Sequence, residues 1–254
     1  MTHEQGYILE ILKIFSKICD TYHLRYYLAG GTLLGAVRHQ GFIPWDDDID
    51  VSMPLSDFLK FQELSDIFPE NIEIQSEDND PNYPFVFIKL CDISHPFPTK
   101  NAYGPKGVYI DIFPLLPAKE LKLGTQFCFN IISVINYILQ IKVGWAVWIP
   151  YKKRVARIGF WILNYLSFNR LKKIRKKLIN YIYNPDSKKT FCSPGGAYTA
   201  KKEFFPIEWF EGTRRMLFEG MYFTVPVGWE SYLSRNYGNY MELPSLEERH
   251  SRHH

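Results

Sequence analysis

Cysteine is scarce in this chain and shows no pattern. Cys19, Cys91, Cys128 and Cys192 form no CxxC pair and have no histidine at ligand spacing, so their placement requests neither a disulfide framework nor a zinc knuckle. They read as thiols of a reducing compartment, and a structural zinc assembled from dispersed cysteines and the 7 histidines stays open. A strong charge of one sign is also missing: the net charge is only +3, which does not mark a nucleic-acid binder. Met1 to Glu10 contains Glu4 and Glu10 and lacks the apolar centre of a secretion signal, so a cytoplasmic location follows by default. Nor is there a P-loop, because Ser193-Pro194-Gly195-Gly196 has no Lys-Ser/Thr in a strand-to-helix pattern and reads as a turn.

What the chain does have is an acidic cluster. Asp46, Asp47, Asp48 and Asp50 follow Trp45 and run into an apolar stretch. Like charges about 4 Å apart repel by roughly 1 to 4 kcal/mol between bulk water and a protein surface, so such a cluster is either solvated or neutralised by a cation. Ile49, Val51 and Met53 alternate with Asp48, Asp50 and Ser52. On a strand, a period of two places Asp48 and Asp50 on one face, with Asp46 in phase if the strand extends back and Asp47 turned away to cap or orient. Carboxylate oxygens on a rigid element suit Mg²⁺ (or Mn²⁺), which takes one or two protein carboxylates and completes its shell with substrate phosphate. A solvated acidic turn is the competing account, whereas a calcium loop lacks the glycine and distal glutamate of an EF-hand.

Upstream, Leu24 to Leu28 is a short strand-like run followed by Ala29, Gly30, Gly31, Thr32 and a helical stretch through Arg38. Glycines at a strand-to-helix turn let backbone N–H groups approach phosphate, with the Thr32 hydroxyl and the helix dipole beside them. Further on, Val108 to Phe113 is β-branched and aromatic with one acid, Asp111, in its middle. Lys89 lies within the apolar run Phe85 to Leu90, with Asp92 as a candidate partner or a strand-end snorkel as the alternative.

The stretch GGTLLGAVRHQGFIPWDDDID, Gly30 to Asp50, resembles the core motif of the LicD family, within the nucleotidyltransferase superfamily. YGNYMELPSLEERHSRHH, Tyr237 to His254, is similar to that family's closing pattern. The resemblance implies transfer of phosphocholine from CDP-choline to a cell-surface glycan such as teichoic acid, lipopolysaccharide or a capsule precursor. More distant relatives, fukutin and fukutin-related protein, imply ribitol phosphate instead. It further implies that Asp111 completes a metal site with Asp48 and Asp50, supported by Asp46, and takes the acceptor proton. Gly30, Gly31, Thr32, Arg38 and Lys89 would hold the CDP-alcohol donor, with Arg249, His253 and His254 closing over it. Leu115-Leu116 stands where the family often carries an acid, leaving that acid's role unfilled. Attachment of a whole NMP to a small molecule or protein is the rival enzyme reading, and a non-catalytic glycan-binding or membrane scaffold is the rival of another class.

The 254 residues, 46% of them hydrophobic, suffice for a full core. A mixed α/β (α+β) class follows, with a nucleotidyltransferase-like sheet, flanking helices and an inserted helical subdomain. We divide the chain into a catalytic core (1–118), a helical basic segment (119–190) and a part that completes the core and donor pocket (191–254). A helix is expected from Glu4 to His23, another at Leu55 to Leu64, and strands near Ile72 to Gln75 and Phe85 to Leu90. Lys122 to Lys142 holds no charge between its end lysines, yet Gln126, Asn130, Ser133, Asn136 and Gln140 recur every three or four residues, marking an amphipathic helix with one polar face. The basic residues that follow, Lys152 to Lys177, together with Trp145 and Trp148, suit either an anionic membrane surface or an ordinary solvated helical face.

Overall fold

The computed structural model describes residues 2–97, 103–146, 164–245, 247 and 249. Helix α1 (His3–Thr21) opens on a reciprocal cap: the Gln5 N–H donates to Thr2 Oγ1 at 3.1 Å and the Thr2 N–H to Gln5 Oε1 at 2.8 Å. Ile8, Leu9, Leu12, Phe15 and Ile18 recur along its buried side, as the helical spacing predicts.

That side lies on a seven-stranded sheet. β1 (Tyr27–Leu28), β2 (Asp50–Pro54), β5 (Val108–Pro117), β4 (Ile88–Asp92) and β3 (Ile72–Gln75) stand side by side in that order. β2 and β5 are parallel and the other pairs antiparallel. β6 (Thr190–Cys192) pairs with the far end of β5, and β7 (Phe204–Pro206) pairs with β6. Val51, Met53, Leu90, Ile110 and Ile112 are wholly buried and join one core with α1 and α3 (Leu55–Glu63). The mixed sheet with helices around it is the α+β architecture expected from the sequence.

Two strands differ from expectation. β2 starts only at Asp50, so Asp46 to Ile49 approach it as an extended loop and Asp48 sits just outside the ladder. β4 starts at Ile88, leaving Phe85 and Phe87 in the lead-in segment. Pairing with β5 begins at Asp50 opposite Asp111 for β2, just after the Asp111 N–H bonds to the Ile49 carbonyl at 2.9 Å, and at Ile88 opposite Ile112 for β4.

Between β5 and β6 the chain forms α4 (Leu123–Lys142) and α5 (Phe168–Ile182), which pack on each other through Ile135, Ile138, Leu139 and Leu171. Here the expected polar face is interrupted. Asn136 is buried, donates to the Pro194 carbonyl at 3.0 Å and accepts from Arg175 at 2.8 Å. Arg175, counted by sequence among surface cations, is itself buried and also meets Glu77 and the Pro84 carbonyl. A guanidinium satisfied by carbonyls and a carboxylate is stable inside a protein where a single unpartnered charge is not. Trp148, Lys152, Lys153, Arg154 and Arg157 lie outside the described residues. Among the described residues, no helix is long and apolar enough to cross a membrane.

The remaining elements close over the sheet edge. They are α6 (Ala200–Glu203), the hairpin β8 (Thr213–Phe218) with β9 (Met221–Pro226), and α7 (Trp229–Tyr237). The hairpin turns at Glu219 and Gly220, and Glu219 Oε1 accepts the Phe42 N–H at 3.0 Å, tying the turn to the loop that leads from α2 (Gly30–His39) into β2.

Candidate active site

The Ala29 N–H donates to the Asp50 carbonyl at 3.0 Å, so β1 ends beside the first residue of β2 and α2 begins there. Gly30 has φ +51°, and a Cβ on it would stand 2.4 Å from Asp50 Oδ2. A Cβ on Gly31 would stand 2.4 Å from Asp46 Oδ2. Both glycines are thus required for two carboxylates to lie against a helix N-terminus, whose positive end favours anionic oxygen. The Thr32 hydroxyl is buried and accepts the Asp50 N–H at 2.8 Å, so it anchors the strand that carries the acid.

Asp50 and Asp111 are register partners on β2 and β5, and Lys89 and Asp111 are partners on β4 and β5. Neighbouring strands lie about 4.8 Å apart, so the three side chains form a row across one face of the sheet. Lys89 Nζ meets Asp111 Oδ1 at 2.6 Å and is only 2% exposed, which replaces both the expected Asp92 partner and the snorkelling alternative. Lys89 and Asp92 are an odd number of residues apart on one strand, so they point to opposite faces. Asp92 instead engages Asn71, Ser94 and His95 at 2.6 to 2.9 Å.

Burial, then the charges of Asp48, Asp111 and Asp46, hold the Asp50 carboxyl well above the usual carboxylate range, with Lys89 opposing them. The acids therefore crowd one another with a single lysine among them. That donor set suits a hard divalent cation, which would relieve the repulsion that makes ionised Asp50 costly. Among the described residues, no three acid, imidazole or thiol groups already converge closely enough to enclose an ion.

Arg38 and Arg249 occupy a second position, at the other end of α2 and about 12 Å along its axis from Gly30. Arg38 Nη1 donates to the carbonyls of Tyr240 (3.0 Å) and Glu242 (3.3 Å). The Arg249 guanidinium lies 5.5 Å from the Trp45 ring centroid, and its Nε donates to the Pro244 carbonyl at 3.0 Å. Burial, and then the charge of the neighbouring Arg249, lower the Arg38 pKa. His253 and His254 lie outside the described residues.

Sequence reasoning missed several contributors. The Gly30 N–H donates to the Tyr232 hydroxyl at 3.2 Å, and the buried Gln5 amide donates to the Asp46 carbonyl at 2.9 Å. No local signal could have found contacts between such distant residues. Tyr109 and Phe113, which flank Asp111 on its own face, were within reach of the same period-of-two rule that singled out the acids. A separate open cleft of ≈ 200 Å³, lined by Ser65, Phe68, Ile72, Glu73, Ile74 and Asn79, contains none of the acids of the row.

A mixed sheet carrying paired acids beside a glycine-led helix is the arrangement of a nucleotidyltransferase-type domain. Residues 23–129 match the family described as LicD/FKTN/FKRP, nucleotidyltransferase domain. Over its whole length the chain is 31% identical to the lipopolysaccharide cholinephosphotransferase LicD of Haemophilus influenzae, covering 96% of that protein. Ribitol 5-phosphate transferase FKRP from human and mouse is 49% identical over 41 residues, 16% of this chain and 8% of each relative. The chain belongs to the LicD family.

Proposed function

We propose that this protein transfers a phospho-alcohol, phosphocholine foremost, from a CDP-linked donor to a hydroxyl of a cell-surface glycan, with lipopolysaccharide as the leading acceptor. The observation that carries this reading is full-length similarity to a lipopolysaccharide cholinephosphotransferase, together with Asp50, Asp111 and Lys89 aligned across one sheet face.

In this reading the acceptor oxygen attacks the phosphorus that bears the alcohol. The bond from that phosphorus to the bridging oxygen breaks, and CMP departs with the electron pair. Asp111 takes the acceptor proton, and Lys89, at 2.6 Å, fixes the orientation of its carboxylate. Gly30 and Gly31 let the acids lie against the N-terminus of α2, whose positive dipole end faces the diphosphate, while Arg38 and Arg249, at the far end of that helix, offer positive charge to the donor beyond the diphosphate. Mg²⁺ or Mn²⁺, when bound by Asp48, Asp50 and Asp111 with Asp46 in support, would neutralise the diphosphate and the departing CMP.

Incubation with Mg²⁺ and, separately, CDP-choline, CDP-ribitol, CDP-glycerol and CTP tests the proposal. CMP release from CDP-choline, accelerated by acceptor glycan, is the expected result. Pyrophosphate release from CTP without CMP from any CDP-alcohol would replace it with nucleotidyl transfer.

Peripheral contact with an anionic membrane belongs to the same proposal. Leu123 (88% exposed) and Phe127 (65%) lie one helical turn apart on α4, near the half-exposed Tyr181, over whose ring Lys119 sits at 4.0 Å. Exposed Arg170, Lys173, Lys176 and Lys177 on α5 supply charge of the sign that anionic lipid attracts. Flotation with anionic liposomes should weaken with salt and with Leu123→Glu/Phe127→Glu; flotation insensitive to both would remove this part.

A further inference from the structure

Tyr232 belongs to α7, yet its hydroxyl stands at the start of α2 and is only half used. Its oxygen accepts the N–H of Gly30, the first residue of α2, at 3.2 Å. A phenol also carries a proton to donate. Among the described residues no acceptor, Asp50 included, takes that proton. Glu203, the other carboxyl nearby, accepts the Tyr198 N–H at 3.0 Å instead. Tyr232 is 8% exposed, and its ring stacks on Phe205 with centroids 5.2 Å apart and planes inclined by 29°, so the hydroxyl is fixed in direction. A buried donor with no acceptor is uncommon in a folded protein and asks for a group that arrives with the substrate.

Gly30 sets where that proton points. Its N–H holds the phenol oxygen, while its Cβ position lies 2.4 Å from Asp50 Oδ2. Because both groups converge on one residue, the hydroxyl and the Asp50 carboxylate stand within about 8 Å of each other. A phosphate held at the acid row therefore lies within reach of the phenol. The Gly30 N–H, at the positive end of α2, also polarises the phenol and makes its O–H a stronger donor toward negative oxygen. We propose that Tyr232 is a catalytic residue whose O–H donates to a non-bridging oxygen of the phosphate that carries the alcohol. This rests on the phosphocholine reading above and deepens it. The transferred group spreads its charge over three such oxygens in the transition state, where a fixed donor has its largest effect. CMP is weakly basic and departs without a proton, so the phenol keeps its hydrogen and no bond to it forms or breaks.

The test uses CDP-choline and two analogues with sulfur in place of a non-bridging oxygen on the choline-bearing phosphorus, one of each configuration. Sulfur accepts hydrogen bonds poorly, so the wild type should turn over the configuration that sets sulfur against Tyr232 about tenfold more slowly than the other. Tyr232→Phe keeps the stack on Phe205. It should lower kcat for CDP-choline about 30-fold with KM within about threefold, and reduce the difference between configurations to about twofold. Tyr232→3-fluorotyrosine keeps ring and hydroxyl but donates more strongly, so there the difference should widen. A phenylalanine variant that keeps the full difference or near-normal kcat, or a fluorotyrosine variant with an unaltered difference, would overturn the assignment. A wild type that releases no CMP from CDP-choline would instead sink the phosphocholine reading and the assignment with it, so the two failures are told apart.

Discussion

On one face of β5, Ile110 and Ile112 are wholly buried against α1 and α3, whereas on the other Tyr109, Asp111 and Phe113 stay half-buried beside Asp50 and Lys89. The same backbone serves both because successive side chains of a strand point to opposite sides. Stability is concentrated on the aliphatic face and chemistry on the acidic one, and a register slip of one residue would exchange them. The acids are held in place by the packing of the aliphatic side, which allows them to crowd at a cost that an isolated cluster could not sustain.

Substitutions can break that division of labour. Asp48→Asn should lower turnover by at least about 100-fold, since a lost ligand charge weakens metal affinity and donor neutralisation together, with a thermal melt no lower than the parent's. Donor turnover above a tenth of normal would remove Asp48 from the site. Ile112→Ala, one residue from Asp111 and on the opposite face of β5, should show the reverse pattern: a loss of about 2 to 5 kcal/mol in urea denaturation with near-normal kcat in the folded fraction. Gly30→Ala tests the junction between the faces. Its φ of +51° and the 2.4 Å approach to Asp50 Oδ2 force the carboxylate to move, so activity should fall about tenfold for a stability cost of about 1 kcal/mol. Unchanged activity would mean that the acid needs no support from the helix terminus.

Glu203 gives the smallest expected change in turnover and serves as a control acid, outside the row and more deeply buried than its members. Burial raises its carboxyl from 4.5 to about 8, with the Tyr198 N–H at 3.0 Å pulling it back. Because its folded-state pKa lies above its unfolded value, the associated stability is complete below pH 4.5 and declines as pH rises to about 8, with a limiting slope of about 1.4 kcal/mol per pH unit. Glu203→Gln should flatten that decline in denaturant titrations taken at several pH values. An unaltered slope would mean that Glu203 is already ionised in the folded protein.

Periodicity made much of this arrangement legible. The spacing in α1, the alternation around Asp111 and the order of strand, glycine turn and helix all express local geometry, and each element stands near its expected place. Alternation continues back past Asp50 and so places Asp48 on a strand, but the ladder with β5 starts at Asp50, and the strand-to-strand register that sets this start is not written in local sequence. Lys89 was paired with Asp92 by proximity along the chain, although strand geometry separates the two. Asn136 and Arg175 read as surface residues because each is polar on a helix. Their burial depends on carbonyls of Pro194 and Pro84, which only the tertiary fold brings there.

The phenol of Tyr232 meets the backbone of Gly30 across 202 residues of sequence. During synthesis the glycine turn and the acids leave the ribosome long before α7 exists, so the half-made protein carries the reactive groups without the hydroxyl that helps to set them. A chain cut before α7 would therefore present the glycine turn and the acids without the hydroxyl that meets the Gly30 backbone.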